Sequence, residues 1–175
     1  MTTQEYLATP ETVLPQQLAY GVWQVADAPT AWHQELVAQL FLVLHQHVRS
    51  RSLGRIWFAP VDVILDYDRA LIVQPDLLFI SEESDVMVTE RVHGAPDLAI
   101  EVLSPRPRIG DMEERLGWFA EYGVRECWLV HQFERAVEVV QFGDHARRRR
   151  FEATTRISSV VLPQFDRSLD DILRS

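Results

Sequence analysis

Hydrophobic residues between Thr30 and Val48 follow the 3.6-residue period of a helix and predict the longest helix of the chain. They are Leu36, Val37, Leu40, Phe41, Leu44 and Val48. Thr30 has a side chain suited to capping the first turn of this helix. A strand is predicted before it, at residues 18–25, and the segment Asp27-Ala28-Pro29 ends that strand.

Short segments rich in β-branched and aromatic residues predict a sheet. They cover residues 54–58, 61–65, 72–80, 98–103, 127–130 and 137–142. Three further helices are predicted: at residues 3–7, after a cap at Asp111, and after a cap at Ser168. The pattern predicts an α/β fold, that is, a mixed α+β sheet flanked by helices. Because no linker or repeat interrupts the chain, we expect one domain over residues 1–175.

The composition limits what the chain can bind. The formal net charge of -9 argues against a protein that coats nucleic acid through bulk electrostatics, so any DNA contact has to be local. All 17 basic residues are arginine, and the four at 147–150 form the one dense basic run. For this run a solvated hairpin is favoured over a DNA contact.

The lone cysteine, Cys127, cannot form an internal disulfide, which predicts a reducing, cytoplasmic setting. Its neighbours Trp128, Leu129 and Val130 indicate a core thiol rather than a nucleophile. No apolar run reaches the 18 or so residues that a membrane span needs, so no contact with a membrane is expected.

Three carboxylates stand on apolar strand segments: Asp76, Asp97 and Glu101. A buried carboxylate without a partner is costly, so such residues usually pair with a cation or bind a metal. If the two strands are neighbours, Asp76 and Glu101 can converge on one Mg²⁺, with the Val102 carbonyl and waters completing an octahedron. Because Pro-Asp dipeptides also favour turns, Asp97 serves equally well as a turn residue.

The same residues resemble the Uma-type restriction endonuclease family of the PD-(D/E)XK nuclease superfamily. The resemblance spans nearly the whole chain, through segments that include Ala59-Pro60-Val61-Asp62-Val63, Val73-Gln74-Pro75-Asp76-Leu77, Glu101-Val102-Leu103 and Cys127-Trp128-Leu129-Val130. It implies a restriction-endonuclease-like core, Asp76 and Glu101 as ligands of Mg²⁺ or Mn²⁺, DNA as the substrate, and a homodimer.

The chain departs from the family at two positions. By the resemblance, Arg115 stands where the family carries a catalytic lysine on the helix after the acidic strand. Arginine cannot shuttle a proton, but it can hold a phosphate or stabilise a negative transition state. The alternative is an ordinary i,i+4 partner of Asp111. Gln17 stands where relatives carry an acid, which suggests a lost polar ligand.

His33 matches a histidine of the family at the start of the long helix. Two interpretations stay open for it: a capping or surface histidine, or a contact to the substrate phosphate. The same substrate-binding role is assigned to Asp97.

Three functions are consistent with these residues. The first is a metal-dependent DNA endonuclease in which Asp76, Glu101 and Arg115 are catalytic. The second is a catalytically impaired nuclease-like module that binds or assembles, favoured by the acidic balance, Arg115 and Gln17. The third is a structural homodimer without a ligand, which predicts that removing Asp76 or Glu101 raises stability.

Overall fold

The computed structural model describes residues 1–10, 12, 14–103 and 111–174 of the chain. The helices are α1 (Thr3–Leu7), α2 (Ala31–Ser50), α3 (Met112–Tyr122) and α4 (Leu169–Leu173). The first six strands are β1 (Gln16–Ala19), β2 (Val22–Val25), β3 (Gly54–Phe58), β4 (Val63–Asp66), β5 (Leu71–Val73) and β6 (Leu77–Ser81). The remaining strands are β7 (Met87–Val88), β8 (Val92–His93), β9 (Leu98–Leu103), β10 (Glu126–His131), β11 (Ala136–Gln141) and β12 (Arg147–Glu152).

The strands form two mixed sheets. The first has the order β2-β1-β5-β4-β8-β7, and the second has the order β12-β11-β10-β9-β6-β3. Within the described residues, β4–β8 and β9–β10 pair in parallel, and all other neighbouring strands pair antiparallel. The α/β class predicted from the sequence, with mixed sheets flanked by helices, is confirmed.

Helix α2 begins where the sequence predicts, because the Thr30 hydroxyl accepts a hydrogen bond from the His33 amide. Its apolar stripe packs with α4 on one face of the second sheet. This first cluster includes Leu40, Leu44, Phe79, Ile100 and Trp128. Over the described ranges, the helices lack the combination of length and hydropathy that crossing a membrane requires.

Two predicted strands are wrong, and both are interrupted by turn residues. The segment 18–25 is a hairpin of β1 and β2, because Tyr20 and Gly21 have φ values of 48° and 85° and form a tight turn between them. The segment 72–80 is divided between β5, in the first sheet, and β6, in the second. The break at Gln74-Pro75-Asp76 brings Asp76 to the beginning of β6.

Helix α3 connects β9 to its parallel neighbour β10. Asp111 caps it by accepting from the Glu113 and Glu114 amides, and Gly123 ends it with a φ of 94°. Helix α3 joins side chains of both sheets in a second cluster. Its buried members are Val63, Leu65, Leu71, Val73, Leu78, Ile80, Val92, Ala99, Leu116, Trp118, Phe119, Val124, Cys127, Leu129 and Val140.

The basic run lies on β12, at the edge of the second sheet, and its four side chains are exposed. Arg148 and Arg150 are ion-paired, whereas Arg147 and Arg149 have no carboxylate within salt-bridge distance in the described part of the chain. The carboxylate partners are Glu113, Glu134, Glu138 and Glu152. Acidic neighbours therefore pair with two of the four arginines of this run.

Candidate active site

Asp76 and Glu101 meet across the β6–β9 pair. These strands are antiparallel with Leu77 opposite Ile100, and continuing that register by one residue places Asp76 opposite Glu101. Directly opposed side chains have Cβ atoms about 5 Å apart on the same face of a sheet. Because side chains alternate along β9, Glu101 shares the face of Ala99, which belongs to the second cluster.

One carboxylate oxygen of Asp76 is held by two donors. Asp76 Oδ2 accepts from the Val102 amide at 2.7 Å and lies 3.2 Å from Nε2 of His33. Asp76 Oδ1 has no hydrogen bond to any described residue, and the side chain is 21% exposed. The contacts to Oδ2 therefore orient the carboxylate, and Oδ1 is available to bind a ligand.

The Val102 carbonyl points to the same side as its amide, because the N–H and C=O of one strand residue face the same edge. Continuing the β6–β9 register places Pro75 opposite Val102. Proline has no N–H to donate, so this carbonyl has no donor from that position. The carbonyl therefore faces β6 beside Asp76.

Glu101 is ion-paired with Arg115 inside the protein. Glu101 Oε1 lies 3.0 Å from Nε of Arg115, and the two side chains are 7% and 9% exposed. The Nε–H is not aligned with Oε1, and neither atom has a hydrogen-bond partner among the described residues. Burial raises the pKa of Glu101 to about 8; Arg115 opposes this rise and the charge of Asp76 adds to it.

A divalent cation fits the chemistry of these donors. Two carboxylates and a carbonyl are the hard oxygen ligands that Mg²⁺ and Mn²⁺ prefer. Glu101 Oε1 is buried without a hydrogen bond, and a cation would stabilise its ionised form. Among the described residues, no group of three or more Asp, Glu, His or Cys side chains is placed to hold a metal, so water would have to fill the other positions.

Asp97 is not brought together with the other two carboxylates. It precedes β9, whereas Glu101 lies near the end of that strand. Its carboxylate accepts from the Ser81 amide at 2.8 Å and from Arg125 Nη1 at 3.0 Å. These contacts connect the end of β6 with the beginnings of β9 and β10, as expected of a structural residue. The substrate-binding role of Asp97 stays a prediction.

Replacing Asp97 with asparagine is expected to lower the free energy of unfolding by about 1–3 kcal/mol, because a buried charge-assisted hydrogen-bond network is weakened. The affinity for divalent cations is expected to stay unchanged, since Asp97 lies away from Asp76 and Glu101. Urea denaturation and calorimetric titration with Mn²⁺ measure the two effects. A loss of metal affinity with unchanged stability would place Asp97 in the metal site instead.

His33 and Arg115 are placed differently from some of the sequence expectations. His33 is 5% exposed and contacts Asp76, so its interpretation as a surface histidine is wrong. The Arg115 side chain contacts Glu101, while the Asp111 carboxylate caps α3, so the i,i+4 pair with Asp111 is also wrong. Both side chains instead contact the two carboxylates of the candidate site.

Gln17 carries a buried oxygen without a hydrogen-bond partner in the described ranges. The side chain is 1% exposed, and its Nε2 donates to Gln24 at 2.6 Å. Leu18 belongs to a small outer cluster with Ile72, so Gln17 faces the opposite side of β1. The Oε1 atom is thus an unused acceptor in the interior, a feature that the spacing of residues in the sequence does not reveal.

Comparisons with known proteins identify the fold and the family of this chain. The solved structures include a crystal structure described as "a putative nuclease belonging to DUF820 from Anabaena variabilis ATCC 29413". It is similar with a TM-score of 0.82 and 18% identity, over 99% of this chain and 98% of that one, which shows a shared fold. A search of curated proteins found no match. The profile of the Uma2 family, described as "Putative restriction endonuclease", matches residues 3–170, and the chain therefore belongs to the Uma2 family.

Proposed function

We propose that this protein is a metal-dependent DNA endonuclease that hydrolyses phosphodiester bonds. The observation that carries the proposal is the hydrogen bond from the Val102 amide to Asp76 Oδ2, which holds Asp76 beside Glu101 at the end of the β6–β9 pair. Membership of a family described as restriction endonucleases supports the same reaction class. When bound, a divalent cation supplies charge neutralisation for the phosphate and makes a coordinated water more acidic.

The residues of the chain would prepare this site in distinct ways. Asp76 and Glu101 would hold Mg²⁺ or Mn²⁺ together with the Val102 carbonyl. His33 and the Val102 amide both contact Asp76 Oδ2, which leaves Oδ1 free to bind the cation. A ligand fixed in this way loses little side-chain freedom when the ion binds.

Arg115 would stabilise negative charge on the phosphate rather than move a proton. Its guanidinium stays protonated, and it lies 3.0 Å from the Glu101 carboxylate that would hold the ion. Binding of a cation by Glu101 would free this guanidinium for a phosphate oxygen.

Replacing Arg115 with lysine is expected to raise the cleavage rate by about tenfold, or ~1.4 kcal/mol of barrier, because an amine can also transfer a proton. The rate of plasmid nicking with Mg²⁺ measures the change. Arg125→Lys is the matched control, since Arg125 pairs with Asp97 away from the site. An unchanged rate in Arg115→Lys would mean that this position only balances the charge of Glu101.

A second function has a specific observation in its favour. Arg115 already balances the charge of Glu101, and as an arginine it cannot transfer the proton that a catalytic lysine would. A nuclease-like module that binds or assembles without turnover would retain such an arrangement. In that case metal binding would persist and hydrolysis would be absent.

Nicking of supercoiled plasmid in Mg²⁺ or Mn²⁺ distinguishes the two functions. For the endonuclease we expect nicking by the wild type and at least about a hundredfold slower nicking by Asp76→Asn and Glu101→Ala, or ~2.7 kcal/mol of barrier. Asp144→Asn, at an exposed position between β11 and β12, serves as the control that retains activity. Metal binding that Glu101→Ala abolishes, with no nicking by any protein, would select the module instead.

We also propose that the protein acts as a homodimer, which would let two copies address both strands of a duplex. Sedimentation velocity of the wild type tests this assembly. A monomer at the concentrations used for nicking would contradict it.

A further inference from the structure

One edge of the first sheet is a free strand without a charged residue. β2 is the outermost strand on that side, and among the described residues it pairs only with β1. Three of its four side chains are exposed: Val22 by 59%, Trp23 by 45% and Val25 by 47%. Of the other edge strands in the described ranges, β3 and β12 carry arginine, and β7 has two residues. Charged residues on an edge discourage pairing with other strands, so β2 is the edge most suited to association.

The backbone of β2 offers two donors and two acceptors on its free side. The Ala26 amide donates to the Pro15 carbonyl at 2.8 Å, so Ala26 faces β1. Because hydrogen-bonded positions alternate along an antiparallel pair, Gln24 faces β1 as well, and Trp23 and Val25 face the free side. The N–H and C=O groups of these two residues have no hydrogen bond to the described part of the chain.

We infer that β2 is a dimer interface, at which a second copy of the chain pairs antiparallel through its own β2. This inference rests on the proposed homodimer and assigns its contact surface. A two-fold axis beside Gln24 places Trp23 of each copy opposite Val25 of the partner subunit. Each free N–H then meets a free C=O, so each copy donates two hydrogen bonds and accepts two. The same strand is thus used on both sides, as a two-fold interface requires.

Charge favours a second copy over an unrelated strand. Each copy has a net charge of -9, so two copies repel each other least where their surfaces are neutral. Residues 14–26 contain no Asp, Glu, Lys or Arg. The two-fold register also brings the exposed Asp27 of one copy opposite Gly21 of the other. The Gly21 carbonyl accepts from the Met1 ammonium at 2.8 Å, so opposite charges meet at both ends of the paired strands.

Sedimentation velocity of two Val25 variants tests the interface. Val25→Pro removes one donor from each copy, and this N–H faces the free side, so pairing with β1 is retained. The dissociation constant of the dimer is expected to rise about ten- to a hundredfold. Val25→Lys places a charge on the edge and is expected to weaken the dimer as well. Val160→Lys is the matched control, since Val160 is 51% exposed and lies outside every strand.

Amide hydrogen exchange identifies the paired residues directly. In the dimer the Trp23 and Val25 amides are expected to exchange slowly, and dilution to the monomer is expected to expose them. The Ala26 amide, bonded to Pro15, is the internal reference that stays protected in both states. An unchanged dissociation constant in both Val25 variants would overturn this interface and leave the homodimer standing. A monomeric wild type would overturn both, whereas a dimeric wild type that never nicks DNA would overturn only the nuclease.

Discussion

Replacing Glu101 with alanine is expected to lower the free energy of unfolding by about 3–5 kcal/mol, the usual effect of removing one partner of a buried ion pair. The Arg115 side chain is 9% exposed and would be left with its charge uncompensated. Because a guanidinium does not release its proton at physiological pH, it has no means of relieving this penalty. Urea denaturation at about pH 9 measures the change, because Glu101 is ionised in the fold only above its pKa of about 8.

Replacing the other partner of the pair, Arg115, separates this explanation from a simple loss of packing. Arg115→Met is expected to cost less, because Glu101 can take up a proton, as its pKa of about 8 indicates. The double variant Glu101→Leu with Arg115→Met is expected to recover most of the lost stability. An increase in stability in Glu101→Ala would instead fit two unpaired, repelling carboxylates, as the structural homodimer requires.

Raising the pH from about 5 to about 8 is expected to lower the stability of the metal-free protein through Glu101. The pKa of this group is 4.5 when exposed and about 8 when buried in the fold. Between those values the folded chain holds one proton more than the unfolded chain, so the stabilisation present below the lower pKa is lost as pH rises. The slope of the unfolding free energy against pH corresponds to a difference of at most about one bound proton.

Comparison with Glu101→Gln isolates this contribution. Burial lowers the pKa of His47, so the stability of both proteins rises with pH near pH 6.5, opposite to the effect of Glu101. The difference between the two stability curves is therefore the quantity to measure, by urea denaturation at a series of pH values. Identical pH dependence of the two proteins would show that Glu101 is ionised throughout this range.

Helices were predicted well because their signals are local. The caps Thr30 and Asp111, together with Gly123, lie within one turn of the ends that they define. The hairpin of β1 and β2 was missed because apolar residues continue through its two-residue turn. Gly21, with a φ of 85°, was the one sign of it. Division of residues 72–80 between two sheets depends on tertiary packing that alternation alone does not encode.

The candidate site was predictable only in part. Alternation along the strand places Glu101 on the same face as Ala99, and the register of β6 with β9, continued by one residue, puts Asp76 opposite it. The contact of His33 with Asp76 joins residues 43 positions apart, and no local pattern encodes it. Position 115 could be identified from the resemblance, but its pairing with Glu101 depends on how α3 lies on the sheet.

Calorimetric titration of Mn²⁺ into the metal-free protein tests the shared cation most directly, with Asp76→Asn, Glu101→Gln and Asp97→Asn as variants. We expect one ion per chain for the wild type and for Asp97→Asn. In the other two variants, the affinity for Mn²⁺ is expected to fall by at least about a hundredfold. Even residues that only hydrogen-bond to metal ligands change metal affinity by about 10- to 100-fold when they are replaced, and a ligand itself should matter at least as much. Equal affinity in the wild type, Asp76→Asn and Glu101→Gln would contradict a site held by these two carboxylates.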